Sequence, residues 1–259
     1  MKFDTLFVSH SPRLMTVRIS RPNQGNSINA ALIQDLNAAL DQAEHSAECR
    51  TVVLEGEPGL FCTGMDFAEV AANPEAHAGE TAGIAGYMKL LQRFTLSPKI
   101  IVAKVDGKVI AGGVGLVAAS DFVIASPRAE FSLSEALWGL LPCCVIPFLV
   151  RRIGFQKAYA MTFTTRTASA SEALGTHLVD ELTENLDDAL RKLALRLNLL
   201  EEVTICDLKN YFSRMWAVTP EMERLAVDEI TRLAGLPRVQ QNIENYVKRR
   251  VFPWERRGL

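Results

Sequence analysis

The stretch that most constrains this chain is residues 107–119, where three glycines, Gly112, Gly113 and Gly115, interrupt an otherwise apolar run. Val109 and Ile110 before them read as the end of a buried strand. Leu116-Val117-Ala118-Ala119 after them suit a buried helix. A further apolar strand follows at 122–125. Strand, helix and strand in this order predict an α/β core. With 259 residues, 48% of them hydrophobic, the chain can bury a large core as one domain or as one domain with a small appendage.

Upstream, extended runs are expected at 3–8 and 14–19, then a turn at Arg21-Pro22-Asn23. Leu32, Leu36, Ala39, Leu40 and Ala43 recur at helical spacing and place a helix over 29–44. Thr51-Val52-Val53-Leu54 reads as a buried strand, and 56–64 as a loop rich in Gly and Pro. Residues 71–83, with Asn73-Pro74 and Gly79, read as mobile or poorly ordered. A helix is expected from about 84 to just before Pro98, then a strand at 99–105. From about Val145 the pattern becomes helical, with helices at 186–199, 202–215 and 220–233. The expected division is a core over 1–185 and a helical C-terminal region over 186–259.

Several function classes lose support from composition. The net charge is -2 and no basic stripe dominates, so a nucleic-acid partner is not expected. No segment approaches the roughly 18 uninterrupted apolar residues of a membrane span. The start, MKFDTLFVSH, lacks a signal peptide's apolar region, and the expected compartment is the cytoplasm. Cys49, Cys62, Cys143, Cys144 and Cys206 match no metal template, and His10, His45, His77 and His177 are scattered, so no metal is expected.

Two glycine-containing turns carry the chemistry. One is Phe61-Cys62-Thr63-Gly64-Met65-Asp66-Phe67, leading from a loop into a short helix. The other is Ala111-Gly112-Gly113-Val114-Gly115. Glycine permits a tight turn and close approach of a ligand to the main chain. A helix N-terminus offers unpaired N–H groups and a partial positive charge. Two such amides converging on one oxygen make an oxyanion hole. Either turn alone is weak evidence, since a lone Gly-Gly-x-Gly is most often a packing device or tight turn, and the second lacks the lysine and serine of a phosphate-binding loop.

With these turns, an ordered set of segments resembles the crotonase, or enoyl-CoA hydratase/isomerase, superfamily. They are RPNQGNSIN, VVLEG, FCTGMDF, KVIAGGVGLVAASDFVIA, AEFSLSEALWGLLP, RRIG and SASEALGTHLVDEL. The resemblance implies a crotonase (ClpP-like) fold: a spiral of ββα units with a helical C-terminal trimerisation region. It also implies a homotrimer or hexamer. It assigns the oxyanion amides to Met65 and Gly112, with Gly113 beside them. Hydratases of the family use two glutamates. Here the first position holds Gly115, and the second is Glu135.

A narrower resemblance, carried by FCTGMDF, by FSLSEALWGLLPCCVIPFLVRRIGFQKAY and by the ending FPWE, is to dehydratases of polyketide β-branching. It implies dehydration of 3-hydroxy-3-methylglutaryl-acyl carrier protein to the 3-methylglutaconyl thioester. The substrate would ride on the phosphopantetheine of a carrier protein or of CoA, with no other cofactor. Glu135 would move the α-proton and assist loss of the β-hydroxyl. The distal carboxylate needs a donor or cation. Tyr87, Lys89 and Arg93 are the candidates, with Lys89 first.

Cys143, at an expected helix start, is a further residue near the substrate, more as a wall than as a nucleophile. Asp66 is expected to cap the helix after the first turn. The basic segment Lys248-Arg249-Arg250 with Arg256-Arg257 would suit an acidic carrier protein or CoA phosphates. Other readings stay open at this point: an enoyl-CoA hydratase or isomerase of ordinary metabolism, the partner decarboxylase, or a non-catalytic carrier-binding scaffold.

Overall fold

The computed structural model describes residues 3–72, 81–216 and 218–255. The chain repeats strand, strand, helix four times. Strands β1 (Leu6–Ser11) and β2 (Leu14–Ile19) precede helix α1 (Ala30–His45), whose N-cap Asn29 accepts the Leu32 N–H at 2.9 Å. Strands β3 (Thr51–Glu55) and β4 (Gly59–Cys62) precede α2 (Phe67–Ala72) and α3 (Thr81–Leu96). Strands β5 (Ile100–Val105) and β6 (Gly107–Ile110) lead into α4 (Gly112–Ala119). Strands β7 (Phe122–Ala125) and β8 (Glu130–Ser132) lead into the single turn α5 (Glu135–Trp138). Helices α6 (Ile146–Ile153) and α7 (Phe155–Thr164) follow. Then come β9 (Ala168–Ser169), α8 (Ala170–Gly175) and β10 (Glu181–Leu182).

In the second, third and fourth repeats the two strands enter different sheets. The larger sheet runs β1-β2-β3-β5-β7-β10 and the smaller β4-β6-β8-β9. Every neighbouring pair is parallel except β1 with β2 and β8 with β9. The central parallel strands of the larger sheet, β3, β5 and β7, are buried on both faces, as such strands require. Alternate residues divide between two cores. Val52, Leu54, Ile101, Ala103, Val123 and Ala125 join the main core, whereas Val53, Ile100, Val102 and Ile124 face the other side. That other side is covered by α9 (Leu186–Leu197) and α10 (Glu202–Met215) through Ala189, Leu197 and Ile205. The Lys209 ammonium, buried on α10, ties that helix to the sheet through Asp121 at 2.6 Å and the Lys99 carbonyl at 2.7 Å.

Helices α11 (Pro220–Ala234) and α12 (Pro237–Arg249) pack into the main core through Ile230, Leu233, Val239 and Ile243. This is the ββα arrangement with a helical C-terminal region that the resemblance implies. Three expectations need adjusting. The 56–64 loop contains β4, which pairs in parallel with β6 about 48 residues later. The first strand begins at Leu6, not at residue 3. The expected mobile stretch 71–83 falls largely on residues 73–80, outside the described residues; α2 runs to Ala72 and α3 begins at Thr81. Among the described residues no helix is long and apolar enough to cross a membrane.

Candidate active site

The smaller sheet assembles the site. Strands β4, β6 and β8 are parallel neighbours, so their carboxyl ends emerge side by side. After β4 comes the Gly64-Met65 turn, after β6 the Ala111-Gly112 turn, and after β8 the Ser134-Glu135 turn. Three segments far apart in sequence thus meet at one sheet edge.

The two glycine turns touch. Gly64 has φ +84°, and a Cβ on it would lie 2.7 Å from the Ala111 Cβ and 3.1 Å from the Gly112 nitrogen. Glycine is therefore required both by conformation and by space. Met65 forms an isolated parallel bridge with Ile28, in which the Ile28 N–H donates to Gly64 O and the Asp66 N–H donates to Ile28 O. That pattern uses the groups on either side of Met65 and leaves its own N–H facing away. Among the described residues, neither the Met65 nor the Gly112 N–H donates a backbone hydrogen bond. Gly112 opens α4, adding the helix's N-terminal polarity. The residue before it, Ala111, has φ 52° and ψ -119°, a conformation that disfavours any side chain. Gly113 is held tight for packing: a Cβ there would lie 2.6 Å from the Cys62 carbonyl oxygen.

Glu135 is the first residue of α5. Its Oε2 is buried without a hydrogen-bond partner among the described residues. Burial raises its carboxyl pKa to about 7, opposed only by a hydrogen bond from its own amide. A carboxyl group poised there can take and return a proton near neutral pH.

Tyr87, on α3, reaches the same place. Its hydroxyl donates to the Gly112 carbonyl at 2.5 Å. Burial, reinforced by Cys62, Cys144 and the Glu135 carboxylate, holds its pKa well above the ordinary phenol value. Lys89, the first choice for the distal carboxylate, is not brought there. It is exposed and borders a surface groove with Glu44, Gln92 and Arg93. Two positions along a helix rotate a side chain about 200°, so Lys89 points away from Tyr87. Arg93 is engaged by Asp41 at 2.5 Å and Glu44 at 2.8 Å. Cys143 is half-buried, and burial, with Glu229 and Glu135 nearby, raises its thiol to about 11. A thiol held protonated is a poor nucleophile.

Asp66 caps α2, accepting the N–H groups of Ala68 at 3.1 Å and Glu69 at 3.3 Å. It also binds Arg21 at 2.9 Å and the Ser27 hydroxyl at 3.0 Å. Burial opposes ionisation, yet these hydrogen bonds hold its pKa below the ordinary carboxylate value. Asn26 donates to the Phe61 carbonyl at 3.2 Å. The RPNQGNSIN segment thus clamps the Met65 turn, a role its sequence does not announce. Trp138, one turn beyond Glu135, gathers Phe67, Tyr246, Phe252 and Trp254 around it at 4.7–6.0 Å between ring centroids. The FCTGMDF, EALW and FPWE segments meet in this aromatic cluster. In the basic C-terminal segment, Lys248 pairs with Glu244 and Arg250 lies over the Tyr246 ring. Arg256 and Arg257 lie outside the described residues.

The sequence matches the enoyl-CoA hydratase/isomerase family over residues 10–257. It is 36% identical over 253 residues to the bacillaene synthase dehydratase PksH of Bacillus subtilis, covering 98% of this chain and 97% of that one. It is 30% identical to a mevalonyl-coenzyme A hydratase of Beauveria bassiana, covering 73% of this chain and 71% of the other. A crystal structure from Bacillus subtilis, described as a candidate polyketide biosynthesis enoyl-CoA hydratase (pksH), superposes with a TM-score of 0.90. It is 35% identical, with 97% of this chain and all of that one aligned. The chain belongs to the enoyl-CoA hydratase/isomerase family and has the crotonase fold. It is an enzyme of the hydro-lyase kind.

Proposed function

We propose that this enzyme removes water from a 3-hydroxy-3-methylglutaryl thioester on an acyl carrier protein, giving the 3-methylglutaconyl thioester in polyketide β-branching. The observation that carries the reading is Glu135, whose carboxyl is poised near pH 7 on the turn after β8, next in the sheet to the turn that carries the Gly112 amide, with glycine at the position where two-carboxylate hydratases hold their other acid. The Met65 and Gly112 amides hold the thioester oxygen as it gains charge. The Glu135 carboxylate takes the α-proton. The enolate electrons form the C=C bond as the β C–O bond breaks. Glu135 returns its proton to the departing hydroxyl, water leaves, and the carboxylate is restored. A tertiary β-carbon eases this departure, so one residue serves as base and then acid.

Two relatives support the substrate class. The PksH relative is named a dehydratase of a polyketide synthase system. The other is named for mevalonyl-CoA, whose acyl group also bears a tertiary hydroxyl at C3. The exposed Phe155, Tyr159 and Phe163, stacked along one face of α7, support self-association as a homotrimer or hexamer; a monomeric mass by light scattering contradicts that part.

Intact-mass analysis of the loaded carrier protein tests the reaction. Loss of one water from the 3-hydroxy-3-methylglutaryl carrier is the expected result. Loss of carbon dioxide from the 3-methylglutaconyl carrier instead identifies the partner decarboxylase. Efficient hydration of crotonyl-CoA with no action on the carrier identifies an ordinary hydratase. Inertness toward all three identifies a scaffold.

A further inference from the structure

We propose that Tyr87 is a positioning residue that holds the Gly112 turn in its oxyanion-binding shape, and that position 115 is glycine to admit the Tyr87 hydroxyl. The proposal rests on the oxyanion-hole reading above.

The Gly112 turn is not held by local preference. Ala111 occupies a backbone conformation unfavourable to a side chain, and such strain persists only where surroundings over-determine it. Two main-chain contacts contribute: the Ala111 N–H donates to Ser132 O at 2.9 Å, and the Val114 N–H donates to Ala111 O at 2.9 Å. The third constraint comes from another helix. Tyr87 donates to the carbonyl of Gly112 itself, fixing the peptide immediately downstream of the amide that faces the substrate. Tyr87 is a half-buried phenol whose pKa is raised by desolvation, so it remains a donor across the working pH range.

Position 115 decides whether this contact exists. A Cβ on Gly115 would lie 2.1 Å from the Tyr87 hydroxyl oxygen, 3.1 Å from Val145 Cγ2 and 3.2 Å from Leu91 Cδ1. Any larger side chain there expels the hydroxyl from its site. A glutamate at 115 and the Tyr87–Gly112 hydrogen bond are therefore mutually exclusive. The absent second carboxylate and the tyrosine are one feature. The exchange also keeps a negative charge away from an acyl group that itself ends in a carboxylate.

The test compares wild type, Tyr87→Phe, Gly115→Ala and the double variant, by kinetics on the thioester that wild type turns over and by thermal melting. Tyr87→Phe lowers kcat by about 10- to 100-fold, less than outright loss of an oxyanion donor, while KM moves by less than about threefold. The pH midpoint of activity, set by Glu135, stays where it is. Gly115→Ala lowers kcat at least as much and lowers Tm. In the Tyr87→Phe background the same substitution costs at least about threefold less in kcat and lowers Tm by less than in wild type, because the clashing oxygen is gone and only the contacts with Val145 and Leu91 remain. Wild-type kcat in Tyr87→Phe overturns the proposal, as does a change confined to KM. Equal Gly115→Ala effects in both backgrounds also overturn it. If Gly115→Ala does not fold, Tyr87→Phe decides alone. If wild type turns over no thioester, the functional reading fails, and additivity or coupling of the Tm changes still judges the contact between positions 87 and 115.

Discussion

Replacing Glu135 by glutamine removes the proton-carrying group and keeps its shape, and two independent magnitudes follow. General acid–base catalysis by a placed side chain contributes about 10²- to 10⁴-fold, or roughly 3–5 kcal/mol of barrier. Glu135→Gln lowers kcat by that factor. The second magnitude is on stability. The folded carboxyl titrates near 7 against 4.5 for the free group, so the folded protein holds a proton that the unfolded chain has released. Below the unfolded value there is no penalty. As pH rises the unfolded state is increasingly favoured, and above the folded value the penalty is complete. The difference corresponds to at most about 3–4 kcal/mol. Glu135→Gln removes this penalty, so its Tm exceeds wild type by several degrees at pH 8 and by almost nothing at pH 4.5. Intact-mass turnover and thermal melts at fixed protein concentration provide both readings. Turnover within tenfold of wild type, or an identical Tm difference at both pH values, refutes the reasoning.

Other substitutions separate the site from its surroundings. Asp66→Asn breaks a largely buried pair with Arg21 and is expected to cost about 3 kcal/mol, visible in a thermal melt, and to lower kcat because the Met65 turn loosens; unchanged stability contradicts the clamp. Lys89→Ala leaves KM within about twofold of wild type, as a surface change does; a large rise in KM contradicts its placement outside the site. Cys143→Ala keeps kcat within about threefold, and the thiol alkylates slowly at pH 7 because burial holds it near 11; rapid modification or inactivity contradicts a wall role.

What the sequence makes legible is local. Residues 14–19, 122–125 and 202–215 carry patterns complete within themselves, and they form the expected elements. Both glycine turns are visible because glycine and a helix start are local signals. Strand β4 is hidden in a Gly-rich loop because its reason to be extended is β6, far along the chain. Arg21 and Asp66 are 45 residues apart, and Tyr87 meets Gly112 across 25. No spacing rule connects such pairs; only the sheet order brings them together. Lys89 fails for a simpler reason, its angular position on α3 relative to Tyr87. Helix α12 lies past the last expected helix, although Val239, Ile243 and Val247 do recur at i, i+4 and i+8.

The central claim is that a single carboxyl group, Glu135, performs both proton transfers. The pH dependence of kcat/KM for dehydration tests it most directly, because that ratio reports ionisations of the free enzyme. The account predicts one ionisation near 7, with activity rising to a plateau at higher pH and the step absent in the residual activity of Glu135→Gln. A bell-shaped profile with two enzyme ionisations, or a wild-type step retained in Glu135→Gln, contradicts it.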